Sequence, residues 1–90
     1  MKIPFSKEEA LALRQALSDC PDAEALGTDA YVVDLYDADP PLSLELVFPK
    51  DGVEVLAAEE LAYSEELDGW YLSGPVADAA VLAAALRTLF

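Results

Sequence analysis

Acidic side chains are the only plentiful reactive groups in this chain. Asp and Glu number eighteen, histidine is absent, and cysteine occurs once, at Cys20. Without imidazole, the usual general base and the commonest transition-metal ligand are both missing. A single thiol cannot build a thiolate zinc or iron–sulfur site within one chain. The glycines at 27, 52, 69 and 74 form neither a GxGxxG nor a GxxxxGK run, so they read as turn residues and no cofactor is called for. Carboxylate chemistry remains, as a glycosidase-like pair or a magnesium site.

Two groupings of acids stand out by spacing. Asp34, Asp37 and Asp39 follow one another in DLYDAD, but this stretch lacks the glycine and distal glutamate of an EF-hand loop. It reads as a solvated strand end. The second grouping needs a sheet: if Tyr31–Tyr36 pairs with Leu42–Phe48, Asp34 falls opposite Ser43 or Glu45. A tight turn after Phe48 then sets Val47 opposite Glu54. Asp34, Glu45 and Glu54 would share the outward face, flanked by Val32, Tyr36, Val47 and Leu56. Such a face is either ordinary solvated surface or a docking stripe for a basic or amphipathic partner.

The elements that must position these residues follow from periodicity. Ser6-Lys7-Glu8-Glu9 is a capping box, and Ala10, Leu13, Ala16, Leu17 and Cys20 then share one face of a helix that Pro21 ends. Cys20 reads as a small buried apolar residue. The acidic, small-residue stretch Asp22–Ala30 predicts a loop, with at most a turn of helix over Ala23–Leu26. Strict alternation predicts strands over Tyr31–Tyr36 and Leu42–Phe48, separated by Pro40 and Pro41.

Pro49-Lys50-Asp51-Gly52 predicts a turn into an antiparallel strand in which Val53 and Val55 face inward while Glu54 and Leu56 face out. The run Ala57–Asp68 has helical composition, yet Leu61–Ser64 and Trp70–Leu72 flank an acidic turn as a hairpin would, so it is read as more sheet. Pro75–Phe90 predicts a closing helix, capped at Ser73 or Gly74. Phe5, Phe48, Trp70 and Phe90 read as core, and Tyr36, Tyr63 and Tyr71 as rings with a wetted hydroxyl.

The fold expected is a single α+β domain over residues 1–90, a two-layer sandwich. An antiparallel meander of three to five strands carries the N- and C-terminal helices on one face. Ninety residues bury about 60 to 65% of their unfolded surface, which leaves a thin stability margin. On the closing helix Ala79, Leu82, Ala85, Leu86 and Leu89 face the sheet, while Ala77, Ala80, Ala83 and Ala84 lie on the other sides. Ala80 and Ala84 are small enough to admit a second copy, giving a homodimer.

The formal charge of −13 repels phosphate backbones and anionic membranes. Direct nucleic-acid binding and membrane association are therefore not expected. A lone cysteine and an N-terminus without a signal-type apolar segment place the chain in the cytoplasm. The function these features favour is a non-catalytic, acidic protein–protein interaction module, adaptor or chaperone-like and homodimeric. The alternative is an inhibitor or immunity-type protein occupying a cationic or nucleic-acid-binding groove. A carboxylate-based or metal-dependent enzyme is the third reading.

Overall fold

The computed structural model describes residues 1–50 and 52–90. The elements in order are β1 (Lys2–Ile3), α1 (Lys7–Asp19), β2 (Ala23–Ala25), β3 (Ala30–Leu35), β4 (Leu42–Val47), β5 (Val53–Ser64), β6 (Gly69–Pro75) and α2 (Ala79–Arg87). All strand pairs among the described residues are antiparallel and make one six-stranded sheet. Strands β2 to β6 form a meander in chain order, and β1 adds to the edge of β5 that β6 also uses.

Alternation decides which face is filled. Tyr31, Val33 and Leu35 of β3, Leu42, Leu44 and Leu46 of β4, and Val53, Val55 and Ala58 of β5 are buried in one core. Ala10, Leu13 and Leu17 of α1 and Leu82, Ala83, Ala85 and Leu86 of α2 complete it. Both helices therefore cover the same sheet face, as an α+β sandwich requires. They are also tied to each other: Arg87 Nε donates to Glu9 Oε2 at 3.1 Å, and the Arg87 guanidinium lies 4.8 Å from the centre of the Phe5 ring. Phe5 in turn meets Phe90 edge-on at 5.8 Å.

Helix α1 begins where its capping box places it. Glu9 N donates to Ser6 Oγ and Ser6 N to Glu9 Oε1, each at 3.1 Å. Helix α2 is shorter than the sequence suggests. Its N-cap is Asp78, whose Oδ1 accepts from the amides of Ala80 and Val81, whereas Ser73, Gly74 and Pro75 belong to β6. Ala83 is buried rather than turned away, while Ala80 and Ala84 are not part of the buried core.

Expectations at the first loop and for several candidate core residues are corrected. The stretch around Glu24 is neither loop nor helix: Ala23–Ala25 pairs with Val33–Tyr31 as an edge strand. That pairing overrides the helical preference of Ala and Glu. Trp70 and Phe90 are each 45% exposed, so neither is core, and Cys20, which caps α1, is half-buried against the core. The turn read at Pro49–Gly52 centres on Asp51, outside the described residues, but Val47 lies opposite Glu54 as expected.

The most consequential element is β5, a single strand of twelve residues. Its pairing with β4 shifts between Glu45↔Ala57 and Leu46↔Val55, which leaves Leu56 as an extra residue, a β-bulge. A bulge reverses which side of the strand each later residue occupies. Beyond it Ala58 faces the core while Ala57, Glu59, Leu61 and Tyr63 face the helix-free side. Strand β4 reaches only to Leu42, opposite Glu60, and beyond the bond from Leu61 N to Pro41 O the residues Ala62–Ser64 pair with β6 alone. The β5–β6 hairpin thus projects as a two-stranded arm from a molecule of 43 × 25 × 20 Å.

Candidate docking face

The helix-free face of the sheet gathers the residues singled out by sequence. Rows across the strands run Glu24–Val32–Glu45–Ala57, then Asp34–Ser43–Glu59, and, at the opposite end, Val47–Glu54–Lys2. Asp34, Glu45 and Glu54 do share this face, with Val32 and Val47 between them. Asp34 is opposite Ser43, and Glu59 extends the acidic row, a member the sequence reading missed. Glu54 differs from the others in having cationic company: the N-terminal amine lies 4.0 Å from its Oε1, and Lys2 is its cross-strand neighbour. Leu56, at the bulge, is exposed and sits beside an apolar cleft of about 540 Å³ between β1 and β6 that Val55, Pro75, Val76 and Leu82 also line.

At the arm this acidic surface gives way to an aromatic cluster. Leu61 lies opposite Leu72 and Tyr63 opposite Trp70, so all four side chains stand on the open face. Leu61 is buried, yet it is not part of the main core; it lies beneath this second, smaller cluster. Trp70 bridges Tyr36, at 5.1 Å between ring centres, and Tyr63, at 5.6 Å in an edge-on arrangement. Such ring pairs stabilise by about 0.5–1.5 kcal/mol beyond the area they bury. They brace the arm against the end of β3. Tyr36, Tyr63, Trp70 and Leu72 nevertheless remain between 37% and 53% exposed, a cluster of large apolar side chains open to solvent.

No family model, no curated protein and no solved structure matches this chain.

Carboxylates rim the aromatic cluster. Tyr36 Oη donates to Asp34 Oδ2 at 3.4 Å, and Tyr63 Oη to Asp68 Oδ1 at 2.6 Å. The negative charge of Asp34, with partial burial, raises the Tyr36 pKa above the ordinary phenol value. The hydrogen bond to Asp68 does the same for Tyr63. Between Lys50 and Arg87 the sequence contains no lysine or arginine, while Glu54, Glu59, Glu60, Glu65, Glu66, Asp68 and Asp78 all fall there. The arm therefore carries apolar surface and negative charge together.

Among the described residues no group of three or more His, Cys, Asp or Glu side chains converges as a metal site would need, Asp34, Asp37 and Asp39 included. No helix among them is long and apolar enough to cross a membrane. Ala80 and Ala84 line a shallow cleft of about 540 Å³ on the helix side, opposite the Asp37–Asp39 loop.

Proposed function

We propose that this chain is a non-catalytic protein–protein interaction module that receives a basic partner segment on the helix-free face of its sheet. One observation carries the reading: Tyr36, Tyr63, Trp70 and Leu72 are exposed together inside a rim of carboxylates that has no compensating cation on the arm. Apolar patches of this kind, rimmed by polar groups, mark interaction sites more often than idle surface. The sign of the rim selects the partner. An arginine or lysine placed over Trp70 gains about 0.5–1 kcal/mol from the ring face, and the neighbouring carboxylates raise its encounter rate.

The experiment is a selection of random displayed peptides against the immobilised protein. The expected pool is enriched in arginine and lysine. Enrichment should collapse on a Trp70→Ala, Tyr36→Ala double variant and weaken on a triple variant reversing Asp34, Glu45 and Glu54 to lysine. Enriched peptides without basic residues, or equal recovery on the aromatic double variant, would overturn the assignment.

A further inference from the structure

Strand β6 has β5 on one side and, among the described residues, no strand on the other. The register fixes which of its backbone groups are left open. Leu61 N donates to Pro41 O at 2.8 Å, so the peptide groups of Leu61 point away from β6. In an antiparallel ladder this direction alternates residue by residue, so Ala62 turns toward β6 and bonds its opposite residue, Tyr71. The N–H and C=O groups of Trp70 and Leu72 consequently point outward from the sheet.

Edge strands are ordinarily protected by charged side chains, lysine above all, or by proline and bulges. Strand β6 reads GWYLSGP and carries no charge. Its only guards are Pro75 and the irregularity at Ser73–Gly74, where the register with β5 shifts and Gly74 adopts φ +155°. Both lie at the far end, leaving Gly69–Leu72 open. Trp70 and Leu72, whose backbone groups point outward, are the residues whose side chains stand exposed on the open face.

We propose that β6 is the docking edge: an extended, arginine- or lysine-bearing segment of a partner protein adds to it by hydrogen bonding to Trp70 and Leu72. This rests on the docking reading of the open face and supplies its geometry. Residues of the incoming strand opposite Trp70 and Leu72 share their face of the sheet, which lays a guanidinium or ammonium group against the indole. Charge decides against a second copy as the occupant. Self-pairing would set the acids of one arm, among them Glu65, Glu66 and Asp68, against an equally acidic neighbour, whereas a basic strand meets them favourably.

The test uses a capped synthetic peptide of alternating arginine and valine, with a control in which every arginine is glutamate. Binding of the basic peptide should slow hydrogen exchange at the Trp70 and Leu72 amides by at least about tenfold. Leu72→Pro removes an outward N–H that β5 does not use, so the variant should keep its far-UV circular dichroism. It should bind the peptide roughly tenfold more weakly than Leu72→Ala, which keeps that donor. Should the proline variant fail to fold, the exchange data on the wild-type chain decide. Ring-proton shifts at Tyr36 and Trp70 without protection of those two amides would overturn strand addition and leave the face reading standing. Equal binding of the glutamate peptide, or no binding of the basic one, would remove both. Protection of Trp70 and Leu72 that appears without peptide and rises with protein concentration would replace the basic strand by a second copy and overturn the proposal.

Discussion

Tyr63 and Asp68 hold the two ends of the turn at the tip of the arm. Asp68 takes a positive φ of 49°, a conformation aspartate tolerates better than most residues, and this brings its carboxylate to 2.6 Å from the Tyr63 hydroxyl. A phenol hydrogen-bonded to a carboxylate resists losing its proton, so the Tyr63 pKa is raised. A raised pKa in the folded state stabilises the fold below the unfolded value of about 10, and the contribution is lost as pH rises through the folded value. Asp68→Asn should therefore move the titration of Tyr63 to lower pH while leaving Tyr36, whose shift originates chiefly in the charge of Asp34, where it was. Ring-carbon chemical shifts followed against pH report each tyrosine separately. An unmoved Tyr63 would exclude Asp68 as the cause. At this scale alternation along β3 puts Tyr36 and Asp34 on one face, and the pairing of β4 and β5 adds Glu45 and Glu54 to it. The sequence misassigned Trp70, since an aromatic residue in a short apolar run reads as core unless its strand is known to extend past the sheet.

Among the elements, β3 and β4 were legible in full. Their alternation fixes the face that buries Leu42, Leu44, Leu46, Tyr31, Val33 and Leu35 together, and of the two registers it allows for Asp34 the structure takes the one opposite Ser43. The hairpin of the arm was legible, since Leu61–Ser64 and Trp70–Leu72 do flank an acidic turn, but its facing was not, because nothing in Leu56-Ala57-Ala58 announces an extra residue, and that residue decides the face of everything after it. Without the bulge, Leu61 and Tyr63 would fall on the side of Val53 and Val55. The start of α2 was misread for a different reason. Proline suits the first turn of a helix, but Pro75 here ends an edge strand, where its missing N–H is equally harmless. Asp78 does the capping instead. Asp78→Ala should cost about 1 kcal/mol, read as a lower denaturant midpoint at unchanged slope. A midpoint equal to the wild type would mean that Leu82 and Leu86, both essentially fully buried, hold α2 without its cap.

For the whole molecule, the balance is between a core that serves one sheet face and a charge of −13 that works against compactness. The two layers put the surface alanines of α2 and the aromatic arm on different sides of the sheet. The proposal that Ala80 and Ala84 admit a second copy is therefore independent of the docking face. It predicts a dimer by light scattering that Ala80→Glu with Ala84→Glu dissociates; a monomeric wild type, or a dimer indifferent to both changes, disposes of it.

The position of Trp70 also determines how the protein can be watched. It is the chain's one tryptophan, and it stands on the arm in contact with Tyr36 and Tyr63 rather than in the core. Its emission is a gauge of the arm alone. During denaturation a fluorescence midpoint marks release of the hairpin from Tyr36, while far-UV circular dichroism marks loss of the sheet and helices. Only coincidence of the two curves licenses a two-state stability for this chain.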